Sequence, residues 1–319
     1  MPMIDMPLEQ LKEYRGRNPR PADFDEFWDR SLAELNAIDP CAEFTPYAFG
    51  SNSADCFELR FKSTKGATIY AKFARPKNIE GKIPAVLHFH GLSGASTPWR
   101  DLLMFTSQGF CAASMDCRGQ GGLSEDVGGQ SGTTYSTPFT RGLDGAPEEL
   151  LCRDLYLDTA MLAHVIMGLD YVDENRVGVF GGSQGGGLSL ACAALVPAIK
   201  RCAPDYPYLS DYKRVWEMDL DKGAYEGLRY FFRHFDPRHE REDEIFEKLG
   251  YIDIQFLAPR IRAKVLMGTG LMDTTCPPST QFAAYNKITS EKEVKIYPDY
   301  AHENLKGHDD IVFDFLATL

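Results

Sequence analysis

One serine, Ser183, stands among five glycines in GGSQGGG, residues 181–187. The five residues Gly181-Gly182-Ser183-Gln184-Gly185 match G-x-S-x-G, with the apolar run VGVF before them and LSLACAALV after them. A strand that turns sharply into a helix lifts a serine hydroxyl clear of a sheet and makes it available as a nucleophile. Such a turn strains the serine backbone, so Gly181 and Gly185 are expected where side chains would collide. A serine that only caps the following helix is the simpler alternative. Neither G-x-G-x-x-G nor G-x-x-x-x-G-K-[ST] occurs, which argues against a nucleotide loop.

A serine hydroxyl needs a base to take its proton and a carboxylate to orient that base. In folds with this turn, they follow in the order serine, acid, histidine. Asp273, in LMDTTCPP after the run AKVLMGTG, is the acid candidate, the alternative being a turn carboxylate. Of the two later histidines, His302 follows VKIYP by a short loop and is assigned as the base, whereas His308 opens the last helix. Two backbone N–H groups must await the developing oxyanion. Gln184, directly after the nucleophile, offers one, and Leu92 in HFHGLSG offers the other.

These groups need a frame. The runs IPAVLHFH, FCAASMD, RVGVFGG, AKVLMGTG and VKIYP are short and continuously apolar, and helix-like stretches separate most of them. Strands buried on both faces read this way, so the expected class is α/β, a doubly wound and mostly parallel sheet in one domain over 1–319. Two amphipathic helices are expected in an N-terminal extension over 1–40, with Asp23 as N-cap of the second. CFELRFK and ATIYAKFARP read as an antiparallel hairpin around residues 63–66. The aromatic and charged stretch over about 200–260 reads as a helical cap insertion, whose Tyr206, Tyr208 and Trp216 either line the entrance or form the cap's own core.

Composition narrows the function. With 44% apolar and 25% charged residues and a net charge of -12, the chain suits a soluble globular protein and disfavours nucleic acid or an anionic membrane as partner. No secretory leader or membrane span is legible, and the eight cysteines form no Cys-x-x-Cys pair. A cytoplasmic protein with neither a zinc site nor a redox dithiol is expected, with buried thiols at positions such as Cys111 and Cys192.

DCRGQGG at 116–122, GGSQGG at 181–186, Asp273 and His302-Glu303 together resemble the carbohydrate esterase family of acetyl xylan esterases and cephalosporin C deacetylases. MPLEQLKEYRG, DFDEFW and HFHG extend the resemblance over the whole chain. It implies an α/β-hydrolase fold and deacetylation of small oxygen esters such as acetylated xylo-oligosaccharides and cephalosporins. It also implies a metal-free homohexamer, a triad of Ser183, Asp273 and His302, and oxyanion donors at Leu92 and Gln184. Arg118, Gln120 and Glu303 are implied as supports of the site. The family commonly has tyrosine after His-Gly, where this chain has Leu92, so the wall of the acyl pocket is expected to differ. A peptidase or amidase on the same fold is the rival activity, and a catalytically silent binding protein the rival of another class.

Overall fold

A computed structural model describes residues 4–128 and 137–319. Nine strands form one sheet: β1 (Glu43–Tyr47), β2 (Ala54–Lys62), β3 (Thr68–Pro76), β4 (Ile83–Phe89), β5 (Cys111–Met115), β6 (Val172–Gly182), β7 (Arg201–Asp205), β8 (Lys264–Gly270) and β9 (Lys292–Tyr297), in the order β1-β2-β3-β5-β4-β6-β7-β8-β9. From β5 to β9 every pairing is parallel, while β1, β2 and β3 add antiparallel strands at one edge. The doubly wound, mostly parallel sheet is therefore present. Every residue of β5 is buried, as both covered faces require.

The expected antiparallel hairpin joins β2 to β3, and its turn uses positive φ at Lys65 and Gly66. Helices α1 (Leu8–Glu13) and α2 (Phe24–Asn36) precede the sheet. Asp23 does sit at the N-cap position of α2, but its carboxylate makes no cap bond and accepts the Tyr251 hydroxyl instead. On one face, α3 (Trp99–Thr106) and the C-terminal α11 (His308–Ala317) pack through Phe105, Val312 and Leu316. On the other, α4 (Leu151–Met167) covers α5 (Gln184–Leu195), all of whose residues are buried. Gly185, Gly186 and Gly187 let α5 lie against the ends of β4 and β7 and the turn after β7, since added Cβ atoms would lie 2.0 Å from Phe89 O, 2.7 Å from Asp205 O and 2.4 Å from Tyr208 O.

The insertion boundary needs correction. Residues 201–205 are β7, a strand inside the sheet between β6 and β8, so the helical insertion begins after it. Five residues with a proline, RCAPD, carry too weak a strand signal to be read alone. The insertion holds α6 (Tyr212–Glu217), α7 (Glu226–Phe235), α8 (Glu242–Gly250) and the short α9 (Ile254–Leu257), and α10 (Pro278–Tyr285) follows β8. The N-terminal segment is bonded to this insertion: Asp211 accepts the Tyr14 hydroxyl and the Arg17 and Asn18 amides. β1 was also missed; its EFTPY is mostly exposed, and Pro46 is tolerable only on an edge strand.

His88 on β4 lies 2.8 Å from the Ser114 hydroxyl across the parallel pair, and burial lowers its imidazole from 6.5 to about 4. The unfolded chain binds this proton below pH 6.5 and the folded chain resists it. Stability is therefore full above pH 6.5 and declines toward pH 4, by at most about 3 kcal/mol. Urea midpoints at pH 5 and 7 should differ less in His88→Gln than in the wild-type protein; an equal difference would remove His88 as a source.

Candidate active site

β6 ends at Gly182 and α5 begins at Gln184, so Ser183 is the whole connection. Its φ of 57° and ψ of -119° are the strained values a sharp strand-to-helix turn imposes. Added Cβ atoms at Gly181 and Gly185 would approach Phe89 O to 2.3 and 2.0 Å, so both positions exclude a side chain. The strained residue is held on both sides: Ser183 N–H donates to Asp205 O at 2.9 Å, and Ser183 O accepts Tyr208 N–H at 3.0 Å.

Ser183 Oγ lies 2.9 Å from His302 Nε2, and His302 Nδ1 lies 2.8 Å from Asp273 Oδ2. With Nδ1–H donating to the carboxylate, Nε2 is left to accept the serine proton. Asp273 is fully buried, and its Oδ1 accepts the Thr275 and Cys276 amides at 2.8 Å each. The loop after β8 thus presents the acid and the loop after β9 the base, although 119 residues separate His302 from Ser183. Glu303 accepts the Ala301 amide at 3.0 Å and so braces the turn that carries His302.

Ser183, His302, Thr275, Tyr206, Gly182, His88 and Leu92 line an open cavity of about 690 Å³. As first residue of α5, Gln184 has an N–H without an intrahelical acceptor, and the helix N-terminus favours negative charge there. Leu92 lies in the turn closed by Gly94 N–H to Gly91 O, at the cavity wall.

Gln120, expected as a support of the site, and two side chains without an expected role, His90 and Asp116, hold these two loops together. Gln120 and Gln184 exchange amide hydrogen bonds of 2.9 and 3.0 Å, and Gln120 Oε1 also accepts Ser93 N–H at 2.8 Å. His90 Nδ1 lies 2.7 Å from Gly91 O, while its Nε2 accepts Cys117 N–H at 2.9 Å. This pairing requires the neutral Nδ1–H tautomer, in keeping with an imidazole lowered by burial. Asp116 accepts the Ser96 and Leu123 amides. An acid and a histidine flanking glycine-rich turns were the available signal for this clamp.

Arg118 is fully buried and grips both Asp158 oxygens on α4, at 2.7 and 2.5 Å, while its third nitrogen reaches Thr64 O at 3.4 Å. Asp158 stays raised because burial outweighs the arginine's pull. Of the cap aromatics, Tyr206 alone lines the cavity, its ring 4.9 Å from that of His302. Tyr208 is buried against Phe139 and Tyr225, and Trp216 packs on Phe232 and His239. Among the described residues one His/Cys/Asp/Glu cluster has metal-like spacing, Asp273, Cys276 and His302, whose donors lie within 4.8 Å of one another. Two of its members are already bonded to each other.

Gln120→Leu should lower kcat at least about tenfold with little change in KM, because it frees a loop that must be placed to well under 1 Å; steady-state kinetics on an activated ester reads it. Arg118→Met leaves the Asp158 charge buried and unpaired, and should cost about 3–5 kcal/mol in urea unfolding.

The family model described as Acetyl xylan esterase (AXE1) matches residues 1–319. The crystal structure of acetyl xylan esterase 1 from Thermoanaerobacterium sp. JW/SL YS485 is 52% identical, with a TM-score of 0.97 over 99% of both chains. The acetyl xylan esterase from Paenibacillus sp. R4 is 34% identical, with a TM-score of 0.93 over 98% of this chain and 99% of its own. Acetyl esterase Axe7A from Xylanibacter ruminicola is 30% identical over 312 residues, 92% of this chain, and this chain spans 65% of that relative's length.

Proposed function

Since the chain belongs to the acetyl xylan esterase family and has the α/β-hydrolase fold, we propose that it is a serine esterase that removes acetyl groups from small oxygen esters such as acetylated xylo-oligosaccharides. The observation that carries the reading is the continuous hydrogen-bonded chain from Ser183 through His302 to Asp273. Ser183 Oγ attacks the acetyl carbonyl as His302 Nε2 takes its proton, and Asp273 holds the imidazole and its developing charge. The N–H groups of Leu92 and Gln184 stabilise the oxyanion. The alcohol departs with the proton from His302, which then activates water to clear the acetyl-serine. No cofactor enters any step.

The cavity supports a small ester in this role. Its 690 Å³ and its mixture of histidines, hydroxyls and apolar walls suit an acetylated sugar of one or two rings. Leu92 in the usual tyrosine position supplies an aliphatic wall. An intact proton-relay geometry speaks against a silent binding protein. Acetylated cephalosporins as further substrates and a homohexamer belong to the same proposal, on family membership. A cytoplasmic location is supported by seven buried free thiols, including Cys111 and Cys192, and by the absence of disulfides among the described residues. Among those residues no helix is long and apolar enough to cross a membrane.

Wild-type protein should hydrolyse p-nitrophenyl acetate and release acetate from acetylated xylo-oligosaccharides, and Ser183→Ala should lower kcat by about 10⁶-fold. A wild-type protein inert toward both esters would end the esterase reading. Light scattering should return the mass of six chains.

A further inference from the structure

Beneath the nucleophile lies a second histidine–carboxylate pair that the reaction does not use. His308 Nε2, at the start of α11, is 2.8 Å from Asp205 Oδ1, at the end of β7. His308 is fully buried, and its Nε2 and the facing Asp205 Oδ1 are both shielded from solvent and have no other polar partner among the described residues. On the far side of the ring, His308 Nδ1 lies 3.0 Å from the Tyr297 hydroxyl. Gly268, which pairs with Asp205 in the sheet, makes room: a Cβ there would lie 2.5 Å from His308 Nε2 and 2.7 Å from Asp205 Oδ1.

Residues 205–208 meet the Ser183 backbone and the His302 ring. Asp205 O accepts Ser183 N–H, and Tyr208 N–H donates to Ser183 O, so this stretch holds the strained serine backbone from two directions. Tyr206, between them, takes a positive φ of 32°, donates its N–H to Gly268 O and sets its ring edge against His302. Burial pushes the Asp205 carboxyl up and His308 opposes that shift, so removing the imidazole takes away the side chain that faces Asp205 Oδ1.

We propose that Asp205 and His308 are positioning residues: their buried pair anchors the 205–208 segment to α11 and so fixes the nucleophile turn of Ser183 and the ring that backs His302. The proposal rests on Ser183 being the nucleophile. Removing His308 lets the end of β7 relax, and the Ser183 hydroxyl shifts relative to His302, while the cavity walls contributed by residues 88–92 and 95–98, Ala224 and Thr275 keep their places.

The effect should therefore fall on kcat. His308→Leu should lose about tenfold in kcat on p-nitrophenyl acetate, short of the hundredfold that a 1 Å misplacement costs, with KM changed by less than about twofold. Inactivation by phenylmethanesulfonyl fluoride, which needs a well-placed serine but no natural substrate, should slow in parallel. His308→Gln, which keeps an N–H donor toward Asp205, should recover most of both rates. Should His308→Leu fail to fold, the isosteric Asp205→Asn carries the same expectations. Variants that fold and match wild type in kcat and inactivation rate would overturn the proposal, as would a His308→Gln no better than His308→Leu. A wild-type protein that neither turns over the ester nor reacts with the fluoride would instead defeat the esterase reading.

Discussion

The backbone of Ser183 is the constraint from which the rest of the site follows. A non-glycine residue at φ 57° and ψ -119° is unfavourable by itself, on the order of 1–3 kcal/mol, and persists only where its surroundings over-determine it. Here the neighbours do so from three sides. The Phe89 carbonyl presses so closely on 181 and 185 that only glycine fits. The Asp205 carbonyl takes the serine N–H, and the Tyr208 N–H takes the serine carbonyl. The central strands β4, β6 and β7 therefore do more than bury apolar surface; their carboxyl ends form a mould for one strained residue.

Around this mould the chain places polar groups in the interior and then satisfies them. Arg118 with Asp158, Gln120 with Gln184 and His90 with Gly91 and Cys117 are each buried wholly or in part, and each joins segments distant in sequence. Such networks add little net stability over apolar packing, but breaking one member is costly. What they provide is placement. The Gln120 amide bonds both Ser93 N–H and the Gln184 side chain, so one side chain ties the turn after β4 to the start of α5.

Much of this was legible in the chain. Continuous apolar runs located five of the six strands from β4 to β9: strands buried on both faces favour apolar residues at successive positions, and only β9, at the sheet edge, is half-buried or exposed throughout. β7 escaped since its five residues include Pro204 and two charges, and its burial comes from neighbours that pattern reading cannot see. The exposed edge strand β1 escaped for the opposite reason, having little buried face to mark it. In the insertion, composition indicated aromatic helices but not which ring faces the cavity; that depends on the turn at Tyr206, which points its ring at His302 while Tyr208, two residues on, points into the core.

Spacing along the chain determined the chemical types and their order: a serine between close-packing glycines, then an acid and a histidine after later strands. Those patterns are local, since the turn at 181–185 requires its glycines wherever the rest of the chain goes. Distance and pairing were decided only by the tertiary structure. Ser183, Asp273 and His302 come within 3 Å contacts because parallel strands end side by side. Likewise, which of the two late histidines meets the serine, and which meets Asp205 at the end of β7, depends on how the sheet brings β7, β8 and β9 together. A linear pattern holds residue types, whereas a hydrogen bond needs directions that only packing supplies.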